Sequence, residues 1–312
     1  MYLLICQRAV SNLLKRLTKY LVDMAVVTLA TGEKAQQECM LLLFTLEQYT
    51  RPLPIVYVFT DSVTAVGLKA KAHYKGDLRI RETMNAYTGL DRKKMEKMPG
   101  VRYANMFSDY TCEKIGAMRI AFEETWAVGS NGVWFLDADI TLFGQLPHVP
   151  LTAEVALSPH LIRDDDEARY GRYNAGFMWF GKAALFDVWE KACKSSRFFE
   201  QAALEEVAAA AGTALYEFPI QHNFGWWRMW QSEEGSTFMQ GQFGFNRMTG
   251  GIGLTFMGKP IGSVHTHWAE KDDYYIANFN KFILDRLSKM GKHKPMLEFL
   301  HGLRQVVPAV RV

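Results

Sequence analysis

Short apolar runs and amphipathic stretches alternate along the first half of the chain. Met24–Ala30 (Met-Ala-Val-Val-Thr-Leu-Ala) is a β-rich run stopped by Thr31-Gly32 and predicts a buried strand. Lys34–Tyr49, strongly apolar over Met40–Leu46, predicts a helix, and Pro54–Thr60 a second strand stopped at Asp61-Ser62. Strand, helix and strand in so short a span is the unit of an α/β fold. Farther on, Ile115, Met118, Phe122 and Trp126 recur at helical spacing within Thr111–Trp126, with Gly129 beyond. The apolar run Val133–Leu136 predicts a buried strand that leads directly into Asp137-Ala138-Asp139. Further strands are expected at Val155–Ser158 and Phe177–Phe180, an Ala-rich helix at Gln201–Ala211, and helix from about Tyr274, broken by Pro295 and Pro308. Thr249–Gly253 is Gly-rich and reads as a loop, because a third glycine and a following helix are missing.

Composition changes this picture little. The 312 residues are 49% hydrophobic and 22% charged, which excludes collagen-like, disordered and coiled-coil classes. The formal charge of +3 is too small to argue for nucleic acid or an anionic membrane. It is unevenly spread: residues 69–102 hold ten Lys/Arg against four Asp/Glu. That segment either tracks phosphates, with Tyr74, Tyr87 and Tyr103 interleaved, or is a solvated basic helix. Cys6, Cys39, Cys112 and Cys193 form no Cys-x-x-Cys pair, so they read as small buried hydrophobes in a reducing compartment. Met1–Cys6 is too short for a secretory or membrane-spanning segment. From Val10 an amphipathic helix is expected to pack on the domain, and the protein reads as cytoplasmic with no transmembrane segment.

The chemistry concentrates where a strand ends in carboxylates. In open α/β sheets, ligands sit beyond the carboxyl ends of the strands. Asp137 and Asp139 are delivered there and can hold a hard divalent cation; the alternative is a strand-terminating turn. Asp164-Asp165-Asp166, without a strand before it, reads as a solvated loop. His265 and His267 share a face if their segment is extended. Asn174 can hydrogen-bond a polar ligand through its amide while Gly176 permits close backbone approach, or both belong to a tight turn. Lys114 sits poorly for a helix start, so it faces a ligand or solvent. The run Phe224-Gly-Trp226-Trp227-Arg228-Met-Trp230 is a stacking surface or a buried cluster.

Taken in order, these segments resemble the GT-A fold glycosyltransferases, over roughly residues 24–272. Val133-Trp-Phe-Leu-Asp137-Ala138-Asp139 is similar to their Asp-x-Asp segment, and Tyr173-Asn174-Ala175-Gly176-Phe177 to the Asn-Ser/Ala-Gly segment beside the donor sugar. His265, followed six residues later by Lys271, resembles the His-x₅-Lys pattern of the glycogenin and lipopolysaccharide-galactosyltransferase group. The resemblance implies a Rossmann-like mixed α/β sheet with flanking helices at residues 24–272, an N-terminal helical segment (1–23) and a C-terminal helical extension (273–312). It implies a nucleotide-diphosphate-sugar donor, UDP before GDP, and Mn²⁺ or Mg²⁺ held by Asp137, Asp139, His265 and His267. Thr28, Ala30, Thr31 and Asp61 would face the nucleotide, Lys114 and Lys271 the diphosphate, with Ala138 and Gly176 beside the donor. Phe218-Pro-Ile-Gln221-His222-Asn223 occupies the region where that group carries an Asp-Gln pair, which makes Gln221 and His222 catalytic candidates. Asp164–Asp166, Glu217 and His222 are the candidates for a general base. The acceptor hydroxyl belongs to a glycan, a lipid-linked sugar or a protein; the alternatives are a modified base in DNA, reached through residues 69–102, and a non-catalytic binding protein on the same scaffold. A nucleotidyltransferase is disfavoured because Thr28–Lys34 lacks a Gly-rich, Arg-containing loop.

Overall fold

A computed structural model describes residues 24–70, 73–126, 129–248, 251–270, 272–289 and 293–302. The expected helix within 1–23, Cys6, Lys271 and Pro308 lie outside the described residues.

The chain opens with β1 (Ala25–Ala30), α1 (Gly32–Tyr49), β2 (Ile55–Thr60), α2 (Val63–Ala70) and β3 (Leu78–Glu82). After a 3₁₀ turn come α3 (Arg92–Lys97), α4 (Met106–Trp126), β4 (Val133–Leu136) and β5 (Ile140–Leu142). Next are β6 (Val155–Pro159), α5 (Asp164–Tyr170), β7 (Tyr173–Phe180), α6 (Ala184–Cys193), α7 (Leu204–Ala211) and β8 (Leu215–Glu217). The last part holds β9 (Phe224–Gly225), α8 (Trp226–Trp230), α9 (Ser236–Gly241), β10 (Phe243–Met248), β11 (Gly251–Phe256), β12 (Lys259–Pro260) and β13 (Ser263–His265). Two helices follow, α10 (Tyr274–Leu287) and α11 (Lys294–Gly302).

Seven strands form one mixed sheet in the order β3-β2-β1-β4-β7-β6-β8, as expected for an α/β fold with flanking helices. Strands β1 to β4 run parallel, and β7 lies antiparallel between β4 and β6. The carboxyl ends of β1, β2, β4 and β6 therefore share one edge with the start of β7. Alternating residues of β1 supply opposite cores: Val27 packs with Met118, Phe122 and Phe135, whereas Val26 packs with Met40, Leu42 and Trp134. A third core joins Phe224, Phe256 and Trp268 to Phe279 and Ile283 of α10. Helix α1 lies between two cores, with Met40 and Leu42 in one and Leu41 in the other, which explains its nearly all-apolar centre.

Four expectations are corrected. Asp164–Asp166 is the first turn of α5, not a loop, and its acids sit where the helix dipole favours negative charge. The Gly-rich stretch continues as strand β11, paired antiparallel with β10. Pro295 opens α11 instead of breaking a helix; the first turn needs no amide donor there. Residues 69–102 are no single basic helix, since they contain β3 and α3. Helix α4 also starts earlier than the apolar spacing indicates, because Asn105 Oδ1 accepts from Ser108 N at 2.8 Å as a cap.

Candidate functional site

Asp137 follows β4 at the shared edge, and its amide donates to Gly176 O at 2.8 Å, which ties it to β7. The turn closes with Ile140 N donating to Asp137 O, and β5 then pairs antiparallel with β13, placing His265 opposite Ile140. Both the amide and the hydroxyl of Thr266 donate to Asp139 O at 3.1 Å. This brings His265 Nε2 to 2.8 Å from Asp139 Oδ1 and 3.9 Å from Asp137 Oδ2. His267 Nδ1 contacts Asp139 Oδ2. The two imidazoles meet by a route that strand periodicity does not supply. Strand β13 ends at His265, and His267 has a left-handed backbone with φ 43°, an uncommon conformation for a non-glycine residue.

Electrostatics follow from this packing. Burial alone would raise the Asp139 carboxyl, yet His265 and His267 hold it well below the usual carboxylate range. Burial would discharge His267, but Asp139 outweighs it and raises the imidazole to about 9. Glu38, on α1, is pushed up to about 8 by burial and by Asp139, and accepts from Ala269 N at 2.7 Å. Asp137 is raised by burial, with Lys114 opposing. Lys114 lies mid-helix, buried and neither at a helix start nor in solvent, and its ammonium stands 3.1 Å from Asp137 Oδ1 and 2.9 Å from Glu200 Oε1. Burial opposes the charge on Lys114; the two carboxylates overcome it and hold the group protonated.

The donor set fits a divalent cation. Ligand atoms of Asp139, His265 and His267 lie within 4.8 Å of one another. Asp139 Oδ1 and His265 Nε2 are buried, and neither has a hydrogen-bond partner among the described residues. Two such atoms facing each other at 2.8 Å are an arrangement that a shared cation satisfies. Imidazole nitrogens suit a transition ion better than Mg²⁺. Gly176 is part of the same packing: a Cβ there would stand 2.6 Å from His265 Cε1 and closer still to Asp137 Oδ2.

A cavity of about 650 Å³ opens beside this centre, with Asp137, His265, His267, Lys114 and Asn174 in its wall. Trp226 and Trp227 line it too, so the tryptophan run serves cavity and core alike; Trp227 stands edge-on to His265 at 5.1 Å, while Trp230 packs toward Phe279. Thr28, Ala30 and Thr31 end β1 at the same edge, and Asp61 Oδ1 accepts from Gly32 N and Gln36 Nε2, capping α1. Those four, with Ala138, Gln221 and His222, are not in the cavity wall. Gln221 donates to Phe256 O, and His222 is lowered to about 4 by burial and by Arg228. Glu217 instead accepts from Arg172 and Tyr173.

Sequence reasoning missed Glu200 and Gln201. This acid–amide pair lies just before α7; Glu200 holds Lys114, and Gln201 Oε1 accepts from Asn174 Nδ2 at 3.2 Å. Its signal was the adjacency Glu-Gln itself, sought farther along the chain. Of the basic segment, Arg79, Arg81, Arg92, Lys94 and Arg102 are all in ion pairs, three of them with Glu113 or Glu124 of α4. No described helix is long and apolar enough to cross a membrane.

No family model and no curated protein matches the sequence. Among solved structures, the chain is similar to mouse xyloside xylosyltransferase 1, at 10% identity and a TM-score of 0.41, over 66% of this chain and 90% of that one. It is similar to the galactosyltransferase LgtC in complex with donor and acceptor sugar analogs, at 11% identity and 0.49, over 83% and 95%. It is similar also to the WbbM bifunctional glycosyltransferase, at 13% identity and 0.48, over 85% of this chain and 52% of that one. These are likenesses of chain course to glycosyltransferases.

Proposed function

We propose that the protein is a metal-dependent glycosyltransferase that moves a sugar from a nucleotide-diphosphate sugar to an acceptor hydroxyl. The observation that carries the reading is the cluster of Asp139, His265 and His267 at the carboxyl edge of the sheet, with two orphaned ligand atoms facing each other. Asp139, His265 and His267, with Asp137 beside them, would hold Mn²⁺, and the charge it would supply there suits the diphosphate of a leaving nucleotide. Lys114 contributes a positive charge at the cavity wall and opposes the rise that burial imposes on Asp137. Gln201 Nε2 keeps one N–H beyond the bond to Tyr170 O for a sugar hydroxyl, Asn174 holds Gln201 in place, and Trp226 and Trp227 present apolar faces that exclude water. A UDP-sugar donor is favoured over a GDP-sugar, and the acceptor is a glycan, a lipid-linked sugar or a protein.

A thermal-shift screen of UDP- and GDP-sugars, with and without Mn²⁺, tests metal, nucleotide and sugar together. The expected outcome is stabilisation by a nucleotide sugar only when Mn²⁺ is present, accompanied by slow hydrolysis of the donor. Asp139→Ala should abolish both. Donor binding that is indifferent to Mn²⁺ and to Asp139→Ala would refute the reading.

A further inference from the structure

Asn223 lies in the middle of the site without touching the cavity. It is fully buried, has φ 55°, and precedes β9, which runs parallel to β13. Its side-chain amide meets three neighbours. Nδ2 donates to Asn174 Oδ1 at 2.9 Å and to Ser158 Oγ at 3.1 Å, and Oδ1 faces His265 Nδ1 at 3.0 Å.

The orientation of this amide is dictated from both sides. Asn174 Oδ1 already accepts from the Gly176 amide at 2.9 Å, and Ser158 Oγ from the Arg228 guanidinium at 3.1 Å. The Asn174 carbonyl oxygen can only accept and so demands a donor, which only the NH₂ end of Asn223 provides; the Ser158 hydroxyl, free to donate or accept, is compatible with that orientation. Its carbonyl end is left for His265, so the proton of a neutral His265 resides on Nδ1. Nε2 then carries the lone pair and points at Asp139 Oδ1.

The polarity extends farther. His265 Nδ1 donates to Asn223, Asn223 to Asn174, Asn174 to Gln201 Oε1, and Gln201 Nε2 to Tyr170 O at 3.0 Å. Three amides thus run head to tail from the metal centre into the cavity wall. Backbone amides of Gly176 and Ala175 fix the acceptor ends of the second and third. Chains of this kind polarise one another, so an orientation set at one end is felt at the other.

We propose that Asn223 is the positioning residue that commits His265 to the Nδ1–H tautomer, so that Nε2 is presented as a ligand for the divalent cation, and that through Asn174 and Gln201 it ties the metal centre to the sugar-facing wall. The proposal rests on the metal reading above. It assigns Asn223 no contact with substrate.

Two measurements test it. With a diamagnetic divalent ion such as Zn²⁺ bound, ¹⁵N spectra of labelled histidine should show His265 protonated on Nδ1 and ligated through Nε2; protonation on Nε2 overturns the proposal without any variant. Manganese affinity, followed by the paramagnetic resonance of free Mn²⁺, should fall about 10–100-fold in Asn223→Gly. Glycine tolerates the positive φ, so the backbone need not move. Asn223→Asp keeps an acceptor for His265 Nδ1 and should retain Mn²⁺ affinity within a few-fold while losing the donor to Asn174. If His265→Ala weakens Mn²⁺ binding but Asn223→Gly leaves it unchanged, the positioning role fails and the metal reading stands. If His265→Ala binds Mn²⁺ like wild type, the metal reading itself fails.

Discussion

Gly176 shows how a single missing side chain makes room for a site. Its Cβ would lie 2.6 Å from His265 Cε1, against a ring fixed by Asn223 and Trp227. Gly176→Ala should cost about 1–3 kcal/mol by overpacking and weaken Mn²⁺ binding more than tenfold, read by urea denaturation and metal titration. Lys114 presents the opposite case, a group whose removal leaves something behind. Lys114→Met would strand Asp137 and Glu200 without their shared cation, and about 3–5 kcal/mol of stability should be lost. Lys114→Met combined with Glu200→Gln should recover part of that loss, which double-mutant denaturation curves would show. Asp137, Asp139 and Asn174 were singled out in the sequence because they follow or open a strand with a clear apolar pattern, and His265 only through its spacing to Lys271. Glu200, Gln201 and Asn223 were not, since their importance arises from neighbours far along the chain: Glu200 meets Lys114, and Asn223 meets His265.

At the scale of elements, the alternating strands and helices of the first half were readable because each buries a continuous apolar run. Boundaries were missed where polar side chains decide them, as at Asn105 before α4. The small sheets of the third core were missed because two- and three-residue strands such as β9 and β13 leave no period to count. Residues 69–102 show how a charge count misleads: three of the four arginines there are partnered by acids that belong to α4, beyond the counted window. The same helix organises the loop before it. The Asp109 carboxylate accepts from the amides of Val101, Arg102 and Tyr103, the latter two at 3.1 and 2.9 Å. Asp109→Ala should release that loop, and hydrogen exchange at Val101–Tyr103 should speed up at least tenfold while α4 stays protected.

Over the whole molecule, buried imidazoles set the acid side of the stability curve. His160 is buried, its Nδ1 donating to Gly171 O and its Nε2 accepting from Asn174 Nδ2, and burial lowers it to about 4, with Gly171 opposing. His222 is lowered to about 4 as well. The unfolded chain binds a proton at each of these below about pH 6.5, whereas the folded chain does so only near pH 4, so stability falls with pH across that window. Each should contribute up to about 1.4 kcal/mol per pH unit, and His160→Gln should flatten the slope measured by urea melts at pH 7, 6 and 5. The pairing of β5 with β13 has a further consequence, in the order of synthesis. Thr266 and Asp139 meet across a separation of 127 residues. At a translation rate of roughly 5–20 residues per second, the two aspartates leave the ribosome several seconds or more before their histidines exist. During that interval the carboxylates stand at the sheet edge with Lys114 as their available counter-charge on the nascent chain. A chain ending before Ser263 would lack His265 and His267 altogether, leaving Lys114 as the counter-charge that Asp137 has.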